Sequence, residues 1–220
     1  EIKEILTDIE RREIDIELDN DGNLTYKSRE IDQGVNYESA KLLFAEMTPE
    51  LRRRFHQELL TSVAENAIAY GELITNYESY PGNTKFGAKA SRYAIIDNQF
   101  MYSKINNMFG DIFSLKSSNR NYPFDFDYWH DEQRTLNIKL PEQYELIAYP
   151  PSFEWNGPRN CGKIIINTFY DEKKHSLKFT GSVTLRPAII PAHQYSQLLQ
   201  AESELSHPDR QLLLLKKKSL

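Results

Sequence analysis

Ile14, Ile16 and Leu18 alternate with Glu13, Asp15 and Glu17. A period of two is that of a strand with one face buried and one in water. Asp19-Asn20-Asp21-Gly22-Asn23 follows. Asp, Asn and Gly tolerate the left-handed backbone of a tight turn, so residues 24–29 are expected to return as the partner strand of a hairpin.

The period then lengthens. Ala40, Leu43, Phe44 and Met47 recur at helical spacing and predict one apolar stripe over residues 37–47. Thr48-Pro49-Glu50 supplies an N-cap hydroxyl, a proline at the first helical position and an acid in the first turn. A second helix is expected over 49–64, with Leu51, Phe55 and Leu59 on one face.

Beyond Asn66 the texture is that of strands. Residues 67–77, 88–96 and 100–105 are expected to be extended, with a turn at Tyr80-Pro81-Gly82-Asn83 and a long loop over 106–121. Leu136, Ile138 and Leu140 alternate up to Pro141. Residues 161–170 and 175–186 predict a second hairpin, turning at Asp171-Glu172-Lys173-Lys174. Pro191 opens a helix carrying Tyr195, Leu198, Leu199 and Leu205, which must end near His207 because the residue before Pro208 disfavours helix. Leu212 to Leu215 reads as a last strand before a basic tail.

The fold class is therefore mainly β (α+β). Antiparallel sheets, or a sandwich, carry a helical pair and one C-terminal helix. A boundary near His130 divides a mixed segment, 1–130, from an all-β segment with one helix, 131–220; the alternative is one continuous domain.

Composition narrows the function. With 40% hydrophobic and 12% aromatic residues the chain can bury a core. The 27 basic and 32 acidic residues give a net charge of −5, which argues against nucleic acid as a partner. No segment reaches the ~18 apolar residues of a membrane span. The opening Glu1-Ile2-Lys3-Glu4 has no methionine and no signal peptide, so upstream residues are expected to be missing. Cys161 is the single cysteine, which excludes an internal disulfide.

Asp21-Gly22, Thr48-Pro49-Glu50-Leu51-Arg52, Leu140-Pro141, Pro150, Ile190-Pro191, Tyr195 and Leu212-Leu213-Leu214-Leu215-Lys216 stand in an order that spans nearly the whole chain. In that order the sequence resembles the C-terminal β-rich domain of unknown function that follows the transglutaminase-like core in exported bacterial proteins. The resemblance implies a periplasmic or secreted protein. It also implies a partner, the upstream transglutaminase-like domain of the same polypeptide. The Cys-His-Asp residues of that core have no counterpart here, so its activity does not carry over.

The chemistry candidates are few. Cys161, in Arg159-Asn160-Cys161-Gly162-Lys163, stands before a strand rather than at a helix start, and no base is identifiable beside it. His56, His130, His175, His193 and His207 form no ligand pair, so neither a metal nor a cofactor is expected. Arg52-Arg53-Arg54 spreads around its helix and is expected to be solvated, pairing with Glu50 and Glu58. No phosphate loop, nucleophile elbow or H-E-x-x-H is present.

The segment Tyr122, Pro123, Phe124, Asp125, Phe126, Asp127, Tyr128, Trp129 is the candidate binding site. In a strand Tyr122, Phe124, Phe126 and Tyr128 share one face, and Asp125 and Asp127 the other. The rings would form either part of the core or an exposed platform for a glycan or peptide. Two such acids also echo the carboxylates of a glycosidase, which lie roughly 5–9 Å apart. The leading expectation is a non-catalytic accessory or interaction domain, not an enzyme on its own. The alternative is a stand-alone carbohydrate- or peptide-binding module using the aromatic strand.

Overall fold

The computed structural model describes residues 9–105, 112, 113, 115, 119–127 and 129–219. Along the chain run β1 (Ile9–Leu18), β2 (Leu24–Asp32), α1 (Val35–Glu46), α2 (Pro49–Val63), β3 (Ile68–Ala69), β4 (Ile74–Asn76) and β5 (Gly82–Ala90). They are followed by β6 (Ile95–Asp97), β7 (Phe100–Lys104), β8 (Phe124–Phe126), β9 (His130–Lys139), β10 (Tyr144–Ala148) and β11 (Phe153–Asn156). The chain closes with β12 (Gly162–Asp171), β13 (Ser176–Leu185), β14 (Ala188–Ile190), α3 (Tyr195–Ser206) and β15 (Leu212–Lys217).

A large sheet organises everything else. Its strands run β11-β12-β13-β9-β1-β2-β5-β3, with β4 also on β5. All its pairs are antiparallel except one: β1 lies parallel to β9, Ile14 opposite Leu136. The sheet thus passes without interruption from residues before 130 to residues after it, and the two segments expected from the sequence share it.

The layers stack on one face of this sheet. A smaller sheet, β10-β15-β7-β6, packs on its middle, where Met101, Leu213 and Leu215 meet Leu136, Ile138, Leu177 and Phe179. α3 and the β14-β8 pair cover the β12-β13 end through Ile190, Tyr195, Leu198 and Phe126. α2 covers the β2-β5 end, where Leu60 and Val63 rest on Leu24, Ala88 and Ala90. Among the described residues no core cluster forms on the opposite face of the large sheet.

The first turn forms as its residues require. The Asp19 carboxylate accepts from the backbone N–H of Asp21 and Asn23. Gly22 adopts φ 77°, and a Cβ there would lie 2.8 Å from the Ala94 carbonyl oxygen. Only glycine suits both the left-handed backbone and that contact.

Several expectations shift. Residues 67–77 are not one strand: Gly71, at φ 90°, breaks them into β3 and β4. β5 begins at Gly82 and ends before a turn at Arg92, so 88–96 is divided. In α1 the buried anchor is Tyr37, whereas Leu43 is 53% exposed. Strands β10 and β11 were not legible from the sequence pattern; both are short and flank prolines. The loop expected over 106–121 lies largely outside the described residues.

Candidate functional site

The hairpin β1–β2 carries a pattern that alternation alone understates. Its inward row does not stop at Ile14: it continues to Arg12 and Glu10. Register then sets charge beside charge. Glu10 stands opposite Asp32 on β2 and Glu132 on β9. Arg12 stands opposite Glu30 on β2 and Arg134 on β9. Four carboxylates and two guanidiniums therefore share the inner face of the central strands.

These groups are largely committed to one another. Arg12 pairs with Glu30 and, at 3.1 Å, with Glu10. Arg134 pairs with Glu132, which also meets His130 Nε2 at 3.2 Å. The Tyr77 hydroxyl hydrogen-bonds the Asp32 carboxylate and meets the Thr84 hydroxyl at 2.9 Å.

Burial and neighbours set their protonation. Burial pushes Glu30 up to about 7, only partly opposed by Arg12, with Glu10 and Asp32 adding like charge. Burial likewise raises Glu10. Burial would raise Glu132 too, but its hydrogen bond with His130 and the charge of Arg134 hold it below the usual range. The same bond to Glu132 raises His130 against the effect of burial.

A cleft opens above this floor, between the sheet and the helix pair. One lobe, about 420 Å³, is walled by Leu43, Phe44, Phe55 and Leu59. A second lobe of about 230 Å³ continues past Tyr26 and Ser62 towards Tyr93 and Arg134. Beside the packing of Leu60 and Val63, a few named contacts hold the helices above it. Tyr37 donates to the Tyr77 carbonyl at 3.2 Å, and Phe44 stacks on Tyr77 with ring centres 5.1 Å apart. Arg52 donates to the Leu73 carbonyl at 3.0 Å and to Thr75 Oγ1 at 2.9 Å. The arginine triplet is thus not uniformly solvated. Arg54 pairs with Glu50 at 2.7 Å, but Arg52 reaches under its helix to the β4 segment.

The family described as a Domain of Unknown Function with solved-structure structure (DUF3858) matches residues 98–215, more than half of the chain. The chain belongs to this family. No curated protein and no solved structure matches it. The matched DUF3858 segment runs from just before β7 through most of β15, and among the described residues it contributes β9 to the floor of the cleft. The hairpin and the helix pair lie outside it. The charged floor therefore sits on the seam where β1 joins the DUF3858 segment.

The residues singled out from the sequence lie elsewhere. Phe126 is 1% exposed and sits in the core under α3. Phe124 is half-buried, edge-on to Tyr195 at 5.5 Å between ring centres. Tyr122 is 79% and Trp129 56% exposed, and the Arg186 guanidinium lies 4.7 Å from the Trp129 ring centre. Asp125 and Asp127 are exposed and line neither lobe of the cleft. Pro123 precedes the strand, and Tyr128 lies outside the described residues. β8 spans only Phe124–Phe126, paired with β14; Tyr122 stands outside it and in water while Phe126 is buried.

Cys161 is buried, and burial pushes its thiol up to about 11. Such a thiol is not a nucleophile at neutral pH. Among the described residues no group of His, Cys, Asp and Glu could hold a metal ion, and no helix is long and apolar enough to cross a membrane.

Proposed function

We propose that this chain is a non-catalytic accessory domain of an exported, periplasmic or secreted, transglutaminase-like protein. Its partner is the upstream transglutaminase-like domain of the same polypeptide. The observation that carries this reading is the outer surface of the helix pair. Val35, Leu42 and Leu51 are each at least half exposed there, on helices that stand outside the DUF3858 segment. A cluster of large apolar side chains in water is the signature of a docking surface. The ordered motifs from Asp21-Gly22 to the terminal leucines support the choice of partner. The cleft supports a non-catalytic role, because each carboxylate of its floor is held by a partner: Glu10 and Glu30 by Arg12, Glu132 by Arg134 and His130, and Asp32 by Tyr77.

The test is association of the upstream domain, produced separately, with this chain. The two are expected to co-elute in size-exclusion chromatography, and Leu42→Asp with Leu51→Asp is expected to abolish co-elution while the melting temperature holds. Failure of the unmodified chain to associate would overturn the reading. So would hydrolase activity in the isolated chain that is lost in Glu30→Gln.

A second reading, a stand-alone carbohydrate- or peptide-binding module on the aromatic strand, draws on the exposure of Tyr122 and Trp129. It requires ligand binding that disappears in Tyr122→Ala with Trp129→Ala.

A further inference from the structure

The large sheet's other face, opposite the three core clusters, holds a groove of about 750 Å³. Its lining follows from register. Lys27 on β2 stands opposite Asp15 on β1, and Asp15 opposite Asn137 on β9. Asn137 stands opposite Lys178 on β13, and Lys178 opposite Phe169 on β12. One row of outward side chains thus crosses five strands at right angles. A second row runs beside it, from Lys89 through Thr25, Glu17, Lys139 and Ser176 to Asp171.

The ends of the groove are aromatic. Phe169 is 64% exposed at one end. At the other, the chain at Tyr70 rides over Gly87, the next position in the first row. A Cβ on Gly87 would lie 2.4 Å from the Tyr70 carbonyl oxygen, so glycine is what lets this wall stand. The Tyr70 ring gathers two ammoniums, Lys89 at 4.3 Å and Lys27 at 5.8 Å from its centre. From β5 to β12 there are five strand spacings, so the groove is ~24 Å long at ~4.8 Å each.

Charge decides the sign of the ligand. Glu17 pairs with Lys139 at 2.7 Å, Asp171 with Lys174 at 3.7 Å, and Asp15 accepts from Asn137 at 2.9 Å. Among the described residues Lys27, Lys89 and Lys178 have no carboxylate within ion-pair distance. On a chain of net charge −5, this face thus carries three ammoniums that no carboxylate pairs with among the described residues.

Two kinds of anionic polymer could lie along such a groove. A peptide that adds to a sheet as a strand is recognised through free backbone groups at the sheet edge. Here the central strands are paired on both sides and offer none. What they do offer is hydroxyl and amide groups, Thr25, Ser176 and Asn137, interleaved with ammoniums and carboxylates. Donors and acceptors side by side suit a ligand rich in hydroxyls, which needs both. The ammoniums suit carboxylates upon it.

We propose that this groove binds a glycan chain bearing carboxylates, laid across the strands between Tyr70 and Phe169. The surface is distinct from the helix pair and from the aromatic strand, so the inference stands or falls apart from either reading above.

Affinity electrophoresis or calorimetry of the 220-residue chain with polygalacturonate, dextran and poly-L-glutamate provides the test. Polygalacturonate is expected to bind, dextran not, and poly-L-glutamate at least tenfold more weakly than polygalacturonate. Lys27→Glu with Lys178→Glu is expected to weaken polygalacturonate binding more than tenfold. Lys27→Gln with Lys178→Gln, which adds no negative charge to the sheet, is expected to weaken it at least severalfold. The same charge change at exposed positions of the smaller sheet, Lys104→Glu with Lys217→Glu, is expected to leave binding within twofold. Absence of polygalacturonate binding overturns the proposal, as does equal loss in the control pair. Tighter binding of poly-L-glutamate would overturn it in favour of an acidic peptide.

Discussion

Arg12 on β1 lies directly opposite Glu30 on β2, and the two side chains form an ion pair on the covered face of the sheet. The pair is partly shielded, with side chains 31% and 26% exposed. Its energy should fall between the ~0–1 kcal/mol of surface pairs and the ~3–5 kcal/mol lost on breaking a buried one. Arg12→Met is expected to cost about 2 kcal/mol, because Glu30 then loses its guanidinium and keeps the like charges of Glu10 and Asp32 beside it. Adding Glu30→Leu is expected to recover part of that loss. A double-mutant cycle from denaturant unfolding checks the coupling; independent, additive effects would refute it.

The same cluster predicts an unusual pH profile. Glu30, raised to about 7, and Glu10, also raised, hold protons more tightly folded than unfolded. Between the usual carboxylate range and about pH 7 the folded state therefore binds more protons, and stability falls as pH rises. His130 acts with the same sign, its stabilisation being lost as pH rises through its raised folded value. Glu132 acts oppositely, losing its contribution only as pH falls below the carboxylate range. The melting temperature is expected to be higher at pH 5 than at pH 8. Glu30→Gln should flatten that difference by the equivalent of about 2 kcal/mol. A profile that rises steadily from pH 5 to 8 would contradict this.

Much of the fold was legible because it was locally encoded. The hairpin at Asp19-Asn23, the N-cap at Thr48, the end of α3 before Pro208 and the β12–β13 hairpin each depend on residues a few positions apart. The parallel β1–β9 pair was not legible, because its partners are more than a hundred residues apart and alternation says nothing of direction. The charged floor escaped for a related reason. Glu10 and Arg12 read as the polar end of a strand until register brings Glu132 and Arg134 beside them. The only signal was that both continue the inward row of Ile14 and Ile16.

Phe126 and Tyr122 form a matched pair of probes. Phe126 is enclosed by Phe113, Ile190 and α3, so Phe126→Ala removes transfer energy and leaves a cavity. The expected loss is about 3–5 kcal/mol. Tyr122 is 79% exposed, and Tyr122→Ala is expected to fall within about 0.5 kcal/mol of the parent. Thermal melts of the two variants check the contrast. A drop below ~2 °C for Phe126→Ala would return the ring to an exposed platform.

Cys161 sits in the same core, its Sγ only 2.5 Å from where a Cβ on Gly157 would stand. With the thiol raised to about 11 and no solvent access, alkylation by iodoacetamide at pH 8 should proceed only through unfolding. The labelling rate is expected to rise sharply with urea across the unfolding transition. Fast labelling in native buffer would show a reachable thiolate. Cys161→Ser is expected to leave any binding intact.

Arg52 provides the sharpest test of how the helix pair is held. Its guanidinium donates to the Leu73 carbonyl and to Thr75, tying α2 to the segment that leads into β4. Hydrogen bonds from a charged donor contribute roughly 1.5–3 kcal/mol, and removing this one leaves a buried Leu73 carbonyl without that partner. Arg53 is exposed, and Arg54 makes an exposed i,i+4 pair with Glu50, a contact worth ~0.3–0.5 kcal/mol. Arg52→Ala should therefore cost about 2 kcal/mol, while Arg53→Ala and Arg54→Ala should each cost under ~0.5 kcal/mol. Because Arg52 bonds to the segment leading into β4 and not to the central strands, the loss should be local. Amide hydrogen exchange in α1 and α2 is expected to accelerate in Arg52→Ala, with β9, β12 and β13 unchanged. Equal acceleration in the central strands would mean that the helix pair and the sheet open as one unit. Equal effects of all three arginines would mean that the reach of Arg52 beneath its helix contributes nothing.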